Sequence, residues 1–162
     1  MKLEKHFQIF KLTNFQISDM EELEALRRMV EEHDYTAALA LIDEMDEMAK
    51  DDKIVKIESF LHVLLVHLIK QHAEKKMTNS WNRSINFSLR GINKSNKRRS
   101  SGGFYLKPQD LEDAIEESFS HALVDASEEA FGGAYDKKIL KEMIDIDTIK
   151  KEALLLILNY ED

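Results

Sequence analysis

The chain has 162 residues, a formal net charge of −8 at neutral pH and no cysteine. Disulfide scaffolds, Cys-ligated zinc, iron–sulfur clusters and thiol nucleophiles are therefore excluded. One proline and five glycines argue against a turn-dense β sandwich or barrel, and 43% hydrophobic with 33% charged residues suits a single globular domain, 1–162, with a heavily charged surface.

Ser18-Asp19-Met20-Glu21 fits a capping box. Leu23, Leu26 and Val30 then repeat at helical spacing, which predicts a first helix to about Glu32. His33–Thr36 breaks it. Ala38, Leu41, Ile42 and Met45 define a second helix to about Met48, and Lys50–Lys53 reads as a charged turn. Ile54, Ile57, Leu61, Leu64, Leu65 and Leu68 next share one face, while Phe60, Val63, Val66 and Ile69 spread apolar character around the cylinder. A helix apolar on nearly all sides is usually central, so residues 52–76 are expected to form the core rod.

Thr78-Asn79-Ser80 offers a cap for a fourth helix, with Trp81, Ile85, Ser88, Leu89 and Ile92 on one face. The stretch 93–103, NKSNKRRSSGG, has no apolar residue and predicts a mobile basic loop. Pro108 suits the first turn of a fifth helix, buried through Leu111, Ile115, Phe119, Ala122, Ala126 and Ala130 and ended by Gly132-Gly133. A short helix near Lys137–Met143 and a last one near Thr148–Asn159, capped by Asp147, complete an all-α bundle of five to seven helices. The longest apolar run, Ala153–Leu158, is far short of the roughly 18 residues a membrane span needs. The opening MKLEKHFQIFK lacks an apolar signal region, so a cytoplasmic protein is expected.

Charge is segregated along the chain. Residues 19–52 hold 13 acids and 3 bases, 70–107 hold 10 bases and 1 acid, and 109–136 hold 9 acids and no base. The basic segment either lies against the acidic helices, each exposed pair worth roughly 0–1 kcal/mol, or faces outward toward an acidic partner or a phosphate backbone. On the fourth helix Arg83, Phe87, Arg90 and Lys94 fall on one strip at i, i+4, i+7 and i+11, and Lys97, Arg98 and Arg99 would extend it. An aromatic between guanidinium groups can stack a base while the cations meet phosphates.

Signals for catalysis are faint. Glu58 with His62, and Glu117 with His121, stand one helical turn apart, the spacing at which two side chains can share a metal ion. The bundle carboxylate motif uses i, i+3 instead, so Glu58 and His62 are weak metal candidates. His62, His67 and His72 do not share a face, Ser80 reads as a cap, and no Gly-rich phosphate loop exists. Glu129 falls near the middle of the apolar face of the fifth helix and, if buried, needs a partner such as Arg90 or His67, or its pKa must rise. Ala153–Leu158 is apolar on every side and is buried or meets another chain.

The run Leu64–Ile92 resembles a bacterial family, abundant in cyanobacteria, catalogued as domain of unknown function number twenty-nine. The likeness rests on Leu64-Leu65-Val66-His67-Leu68-Ile69-Lys70, then Ser80-Trp81, then Ile85, Arg90 and Ile92. The family's Trp-bearing opening and Pro-Cys-Pro-like tail have no counterpart here. The resemblance implies a helical bundle without an assigned activity, and marks His67, Lys70, Ser80, Trp81 and Arg90 as its polar positions. We read Trp81 and His67 as locking the third and fourth helices together, a structural role for the motif. The function expected is a non-enzymatic protein-interaction module, docking through the basic strip or forming a homodimer through the last helix. The alternatives are a nucleic-acid-associated or toxin-neutralising protein using 83–99, and a metal-binding bundle. No cofactor is implied.

Overall fold

The computed structural model describes residues 21–98 and 102–161, and the expected capping box at Ser18–Glu21 and Arg99 of the basic strip fall, wholly or in part, outside that range. The described residues form six helices, joined by turns and one isolated β-bridge, so the all-α expectation holds. Helix α1 covers 21–31. It ends where His33 takes φ 61° and Asp34 N–H bonds back to the Met29 carbonyl at 2.9 Å. A left-handed residue at this place closes a helix by satisfying its last carbonyls. Asp34 then caps the next helix, its Oδ1 accepting the Ala37 N–H at 3.1 Å.

That next helix, α2, runs without interruption from Tyr35 to Glu74. The charged turn expected at Lys50–Lys53 does not exist. Lys and Asp in a helix interior cost only a few tenths of a kcal/mol each, and neither Gly nor Pro stands there to remove a hydrogen bond or release the backbone. The expected second helix and core rod are therefore one helix of 40 residues. The chain packs into two compact units, Met1–Ala49 and Lys50–Asp162, and α2 carries residues of both.

In the unit Lys50–Asp162, the second part of α2 is the rod anticipated. Ile57, Leu61, Leu64, Leu65, Leu68 and Ile69 are fully buried, and Val66 nearly so. Helix α3 (Asn79–Asn96) opens on Thr78, whose hydroxyl accepts the Trp81 N–H at 3.1 Å, and buries Ile85, Leu89 and Ile92. Thr78, rather than Ser80, is thus the cap. Helix α3 also continues four residues into the stretch read as loop. Asn96 is buried there, and its side-chain amide clasps both main-chain groups of Leu106, at 3.0 and 2.7 Å. Arg98 N–H to the Gly103 carbonyl and Tyr105 N–H to the Asn96 carbonyl tie the two ends of the connection.

Helix α4 (Pro108–Glu129) starts as predicted at its proline, with Asp110 reaching back to the Lys107 N–H at 2.8 Å. It buries Leu111, Ile115, Phe119, Ala122, Leu123 and Ala126. A 3-10 turn, Ala130–Gly133, ends it, with Phe131 at φ 52° and Gly132 at φ 67°. Helix α5 (Lys137–Glu142) is capped by Asp136. Helix α6 (Ile146–Leu158) is capped by Asp145, two residues before the expected Asp147, because Asp145 places its carboxylate 3.0 Å from the Thr148 N–H. Helices α5 and α6 pack on α4, and α6 also on α3, closing the core with Leu140, Ile149 and Ala153. Among the described residues no helix is long and apolar enough to cross a membrane.

Candidate functional site

The outer face of α3 is set by the register of its inner face. With Ile85, Ser88, Leu89 and Ile92 buried, Arg83, Phe87, Arg90 and Lys94 are all exposed on the opposite strip. None of the three cations has an ion-pair partner among the described residues. Among the described residues, these three cations of α3 are not paired with the carboxylates of the acidic helix α4. Phe87 is 63% exposed. Its ring meets Phe60 of α2 edge-on, with centroids 5.6 Å apart, so one edge is braced while the rest faces water. Lys97 is exposed as well. Arg98 departs from the strip: it is half-buried, its guanidinium lies 5.1 Å from the Tyr105 ring centre, and its Nε is enclosed without a hydrogen-bond partner.

A second cluster gathers where the C-terminal end of α2 meets the start of α3 and the end of α4. The Lys70 side chain is only 7% exposed, and its ammonium lies 2.6 Å from Glu129 and 4.7 Å above the Trp81 ring. Lys76 approaches the same ring at 5.4 Å and pairs with Glu74. The Glu74 carboxylate also accepts the Phe131 N–H at 2.7 Å, which holds that residue in its left-handed conformation. These contacts keep Glu74 below the usual carboxylate range, chiefly through Lys76 and then the Phe131 N–H. Burial pushes the His67 imidazole below its ordinary value, and the adjacent Lys70 charge adds to the shift while Glu129 opposes it. His67 Nδ1 is buried without a partner.

Of the family-like positions, then, Lys70 and Trp81 come together through a cation–π contact. Ser80 is exposed, and Arg90 belongs to the outer strip. Glu129 is neither buried nor paired with Arg90 or His67; more than half its side chain is exposed and it turns to Lys70. A lysine with so little access to water needs a carboxylate partner to remain charged. Apart from His67 Nδ1, the polar groups described in this cluster answer one another.

Glu58 is exposed, whereas His62 Nε2 lies 2.7 Å from Asp125 of α4 and does not turn to Glu58. His72 makes the parallel contact with Glu152 of α6 at 2.5 Å. Glu117 and His121 are exposed on α4. Among the described residues no group of three or more His, Asp or Glu side chains is placed to hold a metal ion. On α6, Leu154, Leu156 and Ile157 pack partly against the core, while Leu155 and Leu158 are 58% and 46% exposed. Leu89, Leu155, Leu156 and Tyr160 line a shallow apolar groove of about 540 Å³.

Sequence reasoning missed Asn96, Glu74 and Asp125. Asn96 sits inside a polar run and carries no signal of burial. Glu74 and Asp125 reach partners 57 and 63 residues away along the chain, which no local pattern encodes.

No curated protein and no solved structure matches the chain. The model of one family, described as Domain of unknown function DUF29, matches residues 13–149, well beyond the Leu64–Ile92 run, and the chain belongs to that family.

Proposed function

We propose that this protein is a non-enzymatic interaction module that docks an acidic protein segment on the strip Arg83, Phe87, Arg90 and Lys94. One observation carries the reading: the three cations are exposed and unpaired beside an exposed aromatic ring, in a chain with net charge −8. Acidic residues are abundant elsewhere in the chain, yet among the described residues none pairs with the cations of the strip. Such a strip steers and orients a partner of opposite sign, and an aromatic at its centre supplies apolar contact. A protein partner is favoured over nucleic acid because nucleic-acid affinity rests chiefly on the number of phosphates neutralised, and the strip sets three cations against them, while the net charge of −8 opposes either partner at long range.

The test is fluorescence anisotropy with two labelled probes, a Glu/Leu amphipathic helical peptide and a single-stranded RNA, each about 20 units long, at about 50 mM salt. The peptide is expected to bind, to weaken as salt rises, and to lose at least about tenfold in affinity (about 1.4 kcal/mol) with Arg83→Glu and Arg90→Glu together. Tighter binding of the RNA, lost in the same variant, would replace the protein partner by nucleic acid. Binding of neither probe removes the proposal.

A further inference from the structure

The unit Met1–Ala49 carries a second surface of the opposite sign. Within 21–49 the only hydrophobic side chain below a tenth exposed is Ala38, at 4%. Tyr35, Leu39 and Ile42, spaced i, i+4 and i+7 on α2, are 57%, 62% and 45% exposed. Leu23 and Val30, seven apart on α1, are 55% and 47% exposed. Among the described residues, two helices that bury so little between them leave apolar stripes of the kind that ordinarily pack on further helices.

The same 29 residues hold ten carboxylates against Arg27 and Arg28. None of the ten forms an ion pair among the described residues, and only Asp34 is engaged, as a helix cap. An apolar stripe edged by unneutralised acid specifies its occupant by charge. A second copy of the same face would set ten carboxylates against ten, and like charges brought together at an interface cost several kcal/mol. A helix with apolar anchors at i, i+4 and i+7 and Lys or Arg beside them would cover Tyr35, Leu39 and Ile42 and neutralise Asp43, Asp46 and Glu47 in one step.

We infer that this two-helix face is the docking surface for a basic amphipathic helix of a partner protein. It is separate from the α3 strip, takes a partner of opposite charge, and stands or falls independently of it.

The experiment titrates the full chain into a labelled Lys/Leu amphipathic helical peptide of about 20 residues, at about 50 mM salt. A peptide of the same composition in scrambled order serves as control. Expected are binding of the ordered peptide, at least about tenfold weaker binding of the scrambled one, and a loss of similar size with Leu39→Ser and Ile42→Ser together. Both residues are exposed, so the variant keeps its helical circular dichroism. Arg83→Glu should leave this binding unchanged, which separates a failure here from a failure of the α3 strip. No binding, equal binding of both peptides, or unaltered binding by the Leu39/Ile42 variant would overturn the inference. So would a dimer in light scattering that the same variant converts to monomer, since a second copy would then be the occupant.

Discussion

Ser88 is fully buried on the inner face of α3, and its hydroxyl has no hydrogen-bond partner. Its place on that face was readable from the spacing of Trp81, Ile85, Leu89 and Ile92, but its lack of a partner was not. An unsatisfied buried hydroxyl costs about 1–3 kcal/mol. Ser88→Ala also improves helix propensity, so this variant should be more stable by about 1 kcal/mol, measured as a higher urea midpoint at unchanged slope. Asn96 shows the opposite outcome for a buried polar residue. Both ends of its amide are used on Leu106, and the clasp fixes how the chain leaves α3. Nothing in the residue types separates the two cases; what differs is whether a matching main-chain group lies opposite.

Helix α3 is held against α2 partly through an absence. A Cβ at Gly91 would stand 2.6 Å from the tip of the Phe60 ring, so the glycine is the socket that seats Phe60, which in turn braces Phe87. Gly91→Ala gains about 1 kcal/mol of helix propensity but forces the ring out, an overpacking cost of typically about 1–3 kcal/mol. The expected result is a net loss in a urea melt, and a double-mutant cycle with Phe60→Ala should recover most of it. At this scale the periodicity of α2, α3 and α4 located their buried faces well, since that depends only on neighbours within two turns. The continuity of α2 was misjudged because a dense run of charge at Lys50–Lys53 resembles a turn in composition while containing no residue that breaks a helix.

Across the unit Lys50–Asp162, α2 is joined to α4 and α6 by three polar pairs: His62 with Asp125, Lys70 with Glu129, and His72 with Glu152. Two groups in or beside this set give folding a pH dependence of known sign. His67 binds its proton less readily folded than unfolded, so its contribution is complete above the ordinary histidine value of 6.5 and is lost as pH falls below it. The Glu74 carboxylate is also held below its ordinary value of 4.5, so its contribution persists above 4.5 and is lost as pH falls through the depressed folded value. Urea midpoints measured from pH 7.5 downward (about half-unit steps) should therefore fall more below pH 6.5 for the wild type than for His67→Leu. The decline at more acid pH should remain in both proteins.

Residue order is enough to make the chain helical, to gather an oily rod between Ile57 and Ile69, and to set Arg83, Phe87, Arg90 and Lys94 on a strip away from the core. Each follows from the 100° turn per residue and from where apolar side chains recur along it. Tertiary structure alone decided whether those cations are neutralised, that Lys70 is enclosed between Glu129 and Trp81, and that the stripe of Tyr35, Leu39 and Ile42 is left in water. Those outcomes depend on which helices come to lie side by side, and Coulomb and cation–π contacts act across space between groups that the chain itself keeps tens of residues apart.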